Sequence, residues 1–417
     1  HGDASIGDAL VKIGQKELLI DMQGNWGNIF TGDRAAAPRY IEARLSKFAL
    51  DVVFSPKVTN WEYSYDGRSK EPTFLPIKFP LLLNQGAEGI AVGLSTKILP
   101  HNFIELIDAS ISILKGKGKR IFPDFLTGGI ADFSDYNDGK RGGKVLLRAK
   151  MNVLENNMIR ITEIPFTTTT TSLIDSIIRA NDKGKIRIKK VEDNTAENVE
   201  IIIHLPSGVS IDKMIDALYA FTDCQVSISP LSCIILNNKP VFLGVSEILK
   251  ISTENTKSIL QQELEIKLKE LEEKWQLLIL EQLFIENRVY RKIEELTSWD
   301  EVLKIIYDSL VPYEKSLIRK ITNEDILQLT EIKIKKITRY DIEKEKEKVT
   351  KIEDLIEETK HDIEHLTDYA INYFKKIKKE HGAGRHRKTE IKIFDKIVAT
   401  KVAIANKRLY VNKTDGF

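Results

Sequence analysis

Apolar positions change rhythm twice along the chain. Over residues 1–95 they come in short helical groups and strand-like runs broken by glycine and proline, ending in the run Gly89 to Leu94, which suits a compact α/β or α+β unit. From about 104 to 248, helical stretches (Ile104 to Leu114, Ser172 to Ala180, Ile211 to Thr222) alternate with strand-like runs (Gly143 to Ala149, Val199 to His204, Cys224 to Ser229, Ser232 to Leu236). From 253 to about 297, Ile259, Leu260, Leu264, Leu268, Leu271, Trp275, Leu278 and Ile279 recur without proline or glycine, which predicts one long helix. A second stripe runs through Val349, Ile352, Ile356, Ile363, Leu366, Ala370, Phe374 and Ile377, with Glu and Lys alternating over 341–365. The two helices can therefore pair as an antiparallel coiled coil. Between them, 298–340 reads as short helices ending in Leu327, Leu329, Ile332, Ile334 and Ile337, an apolar cap that needs either a partner or a core of its own. Residues 381–390, with two glycines among basic and imidazole groups, read as a linker, and Arg408 to Asn412 as a strand.

Length and composition fit a multidomain chain. Its 417 residues, 42% hydrophobic, can bury several cores, and at ~100–200 residues per domain three or so are expected. No stretch of about 18 apolar residues and no charged-then-apolar leader pattern is present, so the expectation is a cytoplasmic chain without a membrane span. Cys224 and Cys233 lack the spacing of a zinc site and read as two buried thiols. A net charge of +2 says little by itself, but its patterning says more. Lys140, Arg141, Lys144, Arg148 and Lys150 form one basic stretch, and Lys183, Lys185, Arg187, Lys189 and Lys190 another; either can neutralise phosphates without reading sequence. The alternation Lys185-Ile186-Arg187-Ile188-Lys189 equally fits a strand with one polar face.

Candidate chemistry centres on Ala35-Ala36-Ala37-Pro38-Arg39-Tyr40-Ile41-Glu42-Ala43-Arg44-Leu45. Pro38 suits a first helical position, and Ile41, Leu45, Phe48, Ala49 and Val52 follow at helical spacing, so Tyr40 is expected at a helix N-terminus. Such a terminus attracts phosphate, and Arg39 can grip a phosphate oxygen bidentately. A phenol, with an ordinary pKa of about 10, is a poor nucleophile unless its proton is removed and the developing charge is stabilised. The local residues alone favour the other reading, an amphipathic helix with a structural tyrosine.

Context separates these readings. Upstream lie His1-Gly2-Asp3 and Gln23-Gly24-Asn25-Trp26-Gly27-Asn28; downstream lie Lys70-Glu71-Pro72-Thr73-Phe74-Leu75-Pro76 and Gly86-Ala87-Glu88-Gly89-Ile90-Ala91-Val92-Gly93. In this order they resemble the A subunit of bacterial type IIA DNA topoisomerases, with Trp26 and Asn28 standing where the family pattern has Phe and Ser. The Trp-Gly-Asn and Ala-Pro-Arg-Tyr variants are closer to topoisomerase IV than to gyrase.

The resemblance implies a multidomain α+β fold: an N-terminally truncated winged-helix domain over 1–103, an α/β tower domain over 104–250 and coiled-coil arms over 251–297 and 341–380. A helical dimerisation gate would fill 298–340, and 381–417 would hold a linker and the start of a C-terminal β-pinwheel, so the chain is expected to be truncated at both ends. Tyr40 is implied as the nucleophile that joins a DNA 5′ end and Arg39 as its phosphate clamp. His1, Lys12, Arg34, Lys97, Lys140, Arg141, Lys144 and Arg148 would contact DNA, and Ile98 would wedge between base pairs. Many family members carry a Ser-and-acid pair that anchors quinolones; here the positions hold Ala4 and Asp8, so weak drug engagement is expected. No acidic cluster at Mg²⁺ spacing stands out, in keeping with a family whose Mg²⁺ and ATP are held by a partner B subunit. Double-stranded DNA, a second copy of the chain and that B subunit, in an A2B2 assembly associated with the nucleoid, are the implied partners. Gyrase-type supercoiling and a non-enzymatic coiled-coil DNA-architecture role are the alternatives.

Overall fold

The computed structural model describes residues 2–294, 296–332 and 342–397, so the expectations for His1, Ile334, Ile337 and the strand at 408–412 lie outside the described residues. Helix α1 (Asp3–Gly14) leads to β1 (Ile20–Gln23), a single 3-10 turn (Pro38–Tyr40), β2 (Glu42–Leu45) and the short α2 (Lys47–Val52). Hairpin β3 (Trp61–Tyr63) and β4 (Lys70–Pro72) follows, then α3 (Leu81–Gln85) and hairpin β5 (Ala87–Ala91) and β6 (Leu94–Ile98). Next come α4 (Phe103–Leu114), β7 (Ile130–Asp132), β8 (Val145–Arg148), β9 (Lys150–Leu154), β10 (Met158–Glu163), α5 (Thr170–Asp182), β11 (Lys190–Asp193) and β12 (Ile201–His204). They are followed by α6 (Ile211–Phe221), β13 (Gln225–Ile228), β14 (Cys233–Leu236) and β15 (Lys239–Phe242). The rest is helical, α7 (Val245–Glu286), α8 (Val289–Lys292), α9 (Trp299–Leu310), α10 (Asn323–Thr330), α11 (Ile342–Glu364) and α12 (Leu366–His381), until β16 (Glu390–Ile391).

These elements form two compact units, one of His1–Ser55, Leu75–Thr256 and Tyr373–Phe417, the other of Pro56–Phe74 and Lys257–Asn372. The first unit holds a four-stranded antiparallel sheet ordered β11-β12-β10-β9 and a four-stranded sheet ordered β13-β8-β7-β16, in which β16 runs parallel to β7. Strand alternation explains the first sheet: Ile159, Ile161, Ile201 and Ile203 turn inward and pack on Leu173 and Ile177 of α5 and Leu218 of α6. Thr169 and Ser172 close a capping box that starts α5. A separate cluster gathers Phe48, Phe79 and Phe103 with Leu106, Ile248, Phe374 and Ile377; the Phe79 and Phe103 rings stack at 4.9 Å.

Helices α4, α5 and α6 and strands β8, β12, β13 and β14 fall where the periodicity places them. The Lys185–Lys189 alternation does not make a strand. After α5 the chain folds back, with Lys185 N–H on Ala180 O at 2.9 Å and Ile188 N–H on Asn181 Oδ1 at 3.0 Å, so Ile186 is buried by a turn and the ladder starts at Lys190.

In the second unit, α7 and α11–α12 run antiparallel. Lys257 Nζ donates to Thr367 Oγ1 at 2.9 Å, Lys360 pairs with Glu272 at 3.1 Å and Trp275 Nε1 donates to Glu353 Oε1 at 2.9 Å, one residue number falling as the other rises. The long helix ends sooner than its apolar stripe suggests, because Arg288 takes a left-handed φ of 52° and starts α8. Around this break, Leu280 and Phe284 of α7 and Ile306, Leu310, Ile326 and Leu329 bury one another. Leu329 of the expected apolar cap is therefore core, whereas Leu327 is exposed.

Residues 381–390 are not a loose linker. Arg387 forks onto both carboxylate oxygens of Glu105, at 2.7 and 2.6 Å, and donates to the carbonyls of Phe122 and Pro123. Lys388 and Thr389 N–H groups reach Asp124, and Phe125 N–H reaches Thr389 Oγ1 at 2.8 Å. The planar guanidinium satisfies four acceptors at once, and this fixes the segment and aligns β16 with β7.

Candidate functional site

Tyr40 closes the 3-10 turn rather than opening a helix. Pro38 occupies the turn's start, but Ile41 is already extended (φ −122°, ψ 148°), and 42–45 pair with β1 from Gln23↔Glu42 to Ile20↔Leu45. The expected helix from Pro38 to Val52 is thus corrected: a strand ladder takes the backbone hydrogen bonds of its middle, and helix begins only at Lys47. There Ser46 Oγ accepts from Ala49 N–H at 3.1 Å and donates to Leu18 O at 2.7 Å. Phe48, Ala49 and Val52 of the apolar series are buried on α2. Tyr40 therefore does not itself begin a helix.

Support comes instead from the motif upstream. Gly24 has φ +95°, and a Cβ there would stand 2.8 Å from Tyr40 O; Gly27 has φ +80°, and a Cβ would stand 2.6 Å from Asp33 O. Asn25 Oδ1 accepts from Gly27 N–H at 2.9 Å and Asn25 O from Ala36 N–H at 2.9 Å, while Asn28 Oδ1 accepts from Phe30 N–H at 2.8 Å. Trp26 is buried, its indole N–H on Gln23 O at 3.0 Å and its carbonyl held by Gln15 Nε2 at 2.8 Å. Gln23 to Asn28 is therefore a cradle for the segment that carries Tyr40. Gly7 of α1 lies against Pro38, with a Cβ 3.3 Å from its ring, so α1 flanks the turn. On this cradle Tyr40 is 66% exposed, and the Arg39 guanidinium carbon lies 4.8 Å from its ring centroid. Phenol and cation face solvent together, at the disposal of an anionic substrate.

Ile98 lacks the exposure that the wedge expected of it would need. Ile98 is 4% exposed and packs in the core around Leu99 and Phe103, leaving no surface to enter a base step. The exposed apolar groups of the same hairpin are at its other end: Ile90 is 92% and Val92 103% exposed, flanking the turn where Gly93 takes φ +73°. The clue in the sequence is the apolar run from Gly89 to Leu94 interrupted by Gly93.

The expected DNA-contacting cations divide. Lys12, Arg34, Arg141 and Lys144 are exposed. Lys97 pairs with Glu88 at 2.9 Å and Lys140 with Glu247 at 3.0 Å, both at the surface, where such pairs are weak enough to be exchanged for phosphate. Arg148 is corrected: its guanidinium carbon lies 4.6 Å from the Tyr219 ring centroid and 4.1 Å from that of Phe394, and its Nε donates to Gln225 Oε1 at 2.7 Å. It is a packing residue, not a free phosphate ligand. Ala4 and Asp8 are exposed on α1. Carboxylates near Tyr40 in the chain do not converge on a metal: Asp21 pairs with Arg44 at 3.1 Å and Asp33 accepts from Thr31 at 2.6 Å.

These features define a class, a mixed α/β protein with a long helical arm that displays an Arg-Tyr turn beside a helix and an apolar-tipped hairpin. The family of the DNA gyrase/topoisomerase IV A subunits matches residues 1–375, and the chain belongs to that family. It is 40% identical over 417 residues to the A subunit of DNA topoisomerase 4 from Borreliella burgdorferi, covering 100% of this chain and 66% of the relative. It is 32% identical over 334 residues to the A subunit of DNA gyrase from the same organism, covering 74% of this chain and 40% of that protein. With the DNA gyrase A subunit of Helicobacter pylori it shares 30% identity over 386 residues, 86% of this chain and 45% of the other. The chain thus spans 66% or less of the length of these relatives. Among the described residues no helix is long and apolar enough to cross a membrane.

Proposed function

We propose that this chain carries the DNA breakage-reunion centre of a type II topoisomerase, with Tyr40 as nucleophile. The supporting observation is the turn itself: a phenol 66% exposed, stacked with Arg39 and held by a glycine cradle. In this reading Tyr40 Oη loses its proton to solvent and attacks a backbone phosphorus. The P–O3′ bond breaks, the 3′-oxygen takes up a proton, and a 5′-phosphotyrosyl ester keeps the bond energy for resealing. Arg39 neutralises the phosphoryl oxygens, and two such turns, one per copy, cut opposite strands. The donors around Tyr40 do not fit a metal site, so the Mg²⁺ and ATP that the family implies are assigned to a partner B subunit in an A2B2 assembly.

The remaining parts take matching roles. Residues 1–103 would be the winged-helix remnant, 104–250 the tower, the antiparallel α7 and α11–α12 the coiled-coil arms, and 298–340 the gate at which two copies join. Ile90 and Val92, not Ile98, would enter the DNA stack; unstacking costs a few kcal/mol and is offset by wrapping DNA onto more basic surface. Topoisomerase IV-type decatenation and relaxation is favoured over gyrase-type supercoiling by the higher identity, 40% against 32%, to the two Borreliella relatives. A cytoplasmic, nucleoid-associated location goes with this substrate.

The test mixes the full chain with a B subunit, Mg²⁺, ATP and duplex DNA and traps the product with denaturant. A DNA 5′ end linked to Tyr40 is expected, absent from Tyr40→Phe, which should still bind DNA. Binding without an adduct would favour the architectural alternative, and a 3′ adduct would reject the mechanism.

A further inference from the structure

Two elements far apart in the chain bring an imidazole and two carboxylates together. Asp51 lies on α2, Glu380 and His381 end α12, and one ligand atom from each lies within 4.8 Å of the other two; this is the group of three such donors found among the described residues. His381 Nε2 is 3.2 Å from Asp51 Oδ2 and 3.9 Å from Glu380 Oε2, and the His381 side chain is 9% exposed. That nitrogen is buried and has no hydrogen-bond partner. The ring is held edge-on to Phe48 of α2, with centroids 5.4 Å apart at 84°. Beside the group opens a cavity of 530 Å³, lined also by Glu17, Asp21, Lys47 and Arg385, with room for water.

We propose that Asp51, Glu380 and His381 form a binding site for a divalent transition-metal cation of the Zn²⁺ type, its open positions filled by water from the cavity. Bonds of about 2.0–2.1 Å put the ligand atoms of a tetrahedral site roughly 3.3 Å apart; the Asp51–His381 spacing of 3.2 Å already matches, and the exposed Glu380 carboxylate, now 3.9 Å from His381, would close in on the ion. With its ring proton on Nδ1, the neutral imidazole presents the Nε2 lone pair towards two carboxylate oxygens, an arrangement that a cation lying between them makes attractive. One nitrogen with two hard oxygens favours Zn²⁺, Co²⁺ or Mn²⁺ over Mg²⁺ and Ca²⁺, which seldom take imidazole. Bound there, the ion clips α2, the helix that follows the Tyr40 turn and strand β2, to the end of α12.

The full chain, stripped with chelator and dialysed, is titrated with Co²⁺ and followed by its visible d–d absorption, with Zn²⁺ as competitor and metal content measured directly. One equivalent per chain is expected, displaced by Zn²⁺ and not by a large excess of Mg²⁺. His381→Ala and Asp51→Asn should each weaken binding at least about tenfold. Asp51→Asn keeps the size of the side chain, so it gives the answer if the histidine variant folds poorly. The stacked pair His361 and His365, with ring centroids 4.2 Å apart, is the rival place for a metal, and replacing both with alanine should leave the titration unchanged. No stoichiometric binding, or binding that survives in Asp51→Asn and His381→Ala and is lost with the His361–His365 pair, overturns the proposal.

Discussion

The imidazole of His101 is enclosed on all sides, with Nδ1 3.2 Å from Leu83 O and Nε2 3.2 Å from the Tyr136 hydroxyl. Burial pushes its pKa down to about 4 and pushes the Tyr136 phenol up, so both are neutral in the fold. The assignment that suits them has Nδ1–H donating to Leu83 and the phenol O–H donating to Nε2. An unfolded histidine titrates near about 6.5, so between that pH and about 4 the unfolded chain binds the extra proton. Stability contributed by His101 is therefore complete above about pH 6.5 and is lost as pH falls towards 4, by up to roughly 3 kcal/mol. Melting temperature against pH should fall less steeply over that window for His101→Gln than for the native chain; parallel curves would refute this. At this scale the Arg39-Tyr40 pair and the Gln-Gly-Asn-Trp-Gly-Asn motif are legible in sequence, because motif order singles them out. That Gly24 serves the Tyr40 carbonyl is not, since it depends on a positive φ and a close approach made only in the folded chain.

Elements are most legible where one period runs long without competition. The stripes of α7 and α11–α12 and strand β12 are of this kind, whereas its sheet partners β9, β10 and β11 are too mixed in polarity to stand out. The segment 38–52 carried a helical spacing that tertiary pairing overrode, because β1 offered Glu42–Leu45 a ladder and Ser46 a cap for what remained. Hairpin β5–β6 is the other informative case, since its two isoleucines have opposite surroundings. Ile98→Ala should cost about 2–4 kcal/mol in denaturant unfolding and leave DNA geometry alone. Ile90→Ala should leave stability within about 0.5 kcal/mol and reduce the bend of a duplex labelled at both ends, read by energy transfer. The reverse pattern would return the wedge to Ile98.

At the scale of the molecule, the joins are made by groups that no local window of sequence connects. Arg387 with Glu105, Thr389 with Phe125, and the Asp51, Glu380 and His381 group all link the far end of the chain to its first third. Sequence showed 381–390 as a linker because its glycines and charges have the composition of one; the acceptors that fix it lie elsewhere. Removing the fork with Arg387→Ala leaves Glu105 and two carbonyls unsatisfied and should cost about 3 kcal/mol, measured by denaturant unfolding of the full chain. Arg387→Lys should recover only part, since an ammonium cannot span both carboxylate oxygens.

The parallel pairing of β16 with β7 also sets an order of events during synthesis. Strand β7 emerges from the ribosome with one edge bare, and its neighbour on that side, Glu390–Ile391, is made only after the whole helical arm. The nascent chain must therefore carry an open β edge while everything between the two strands is made, a liability that calls for shielding in the cell and makes β16 the strand that completes the sheet.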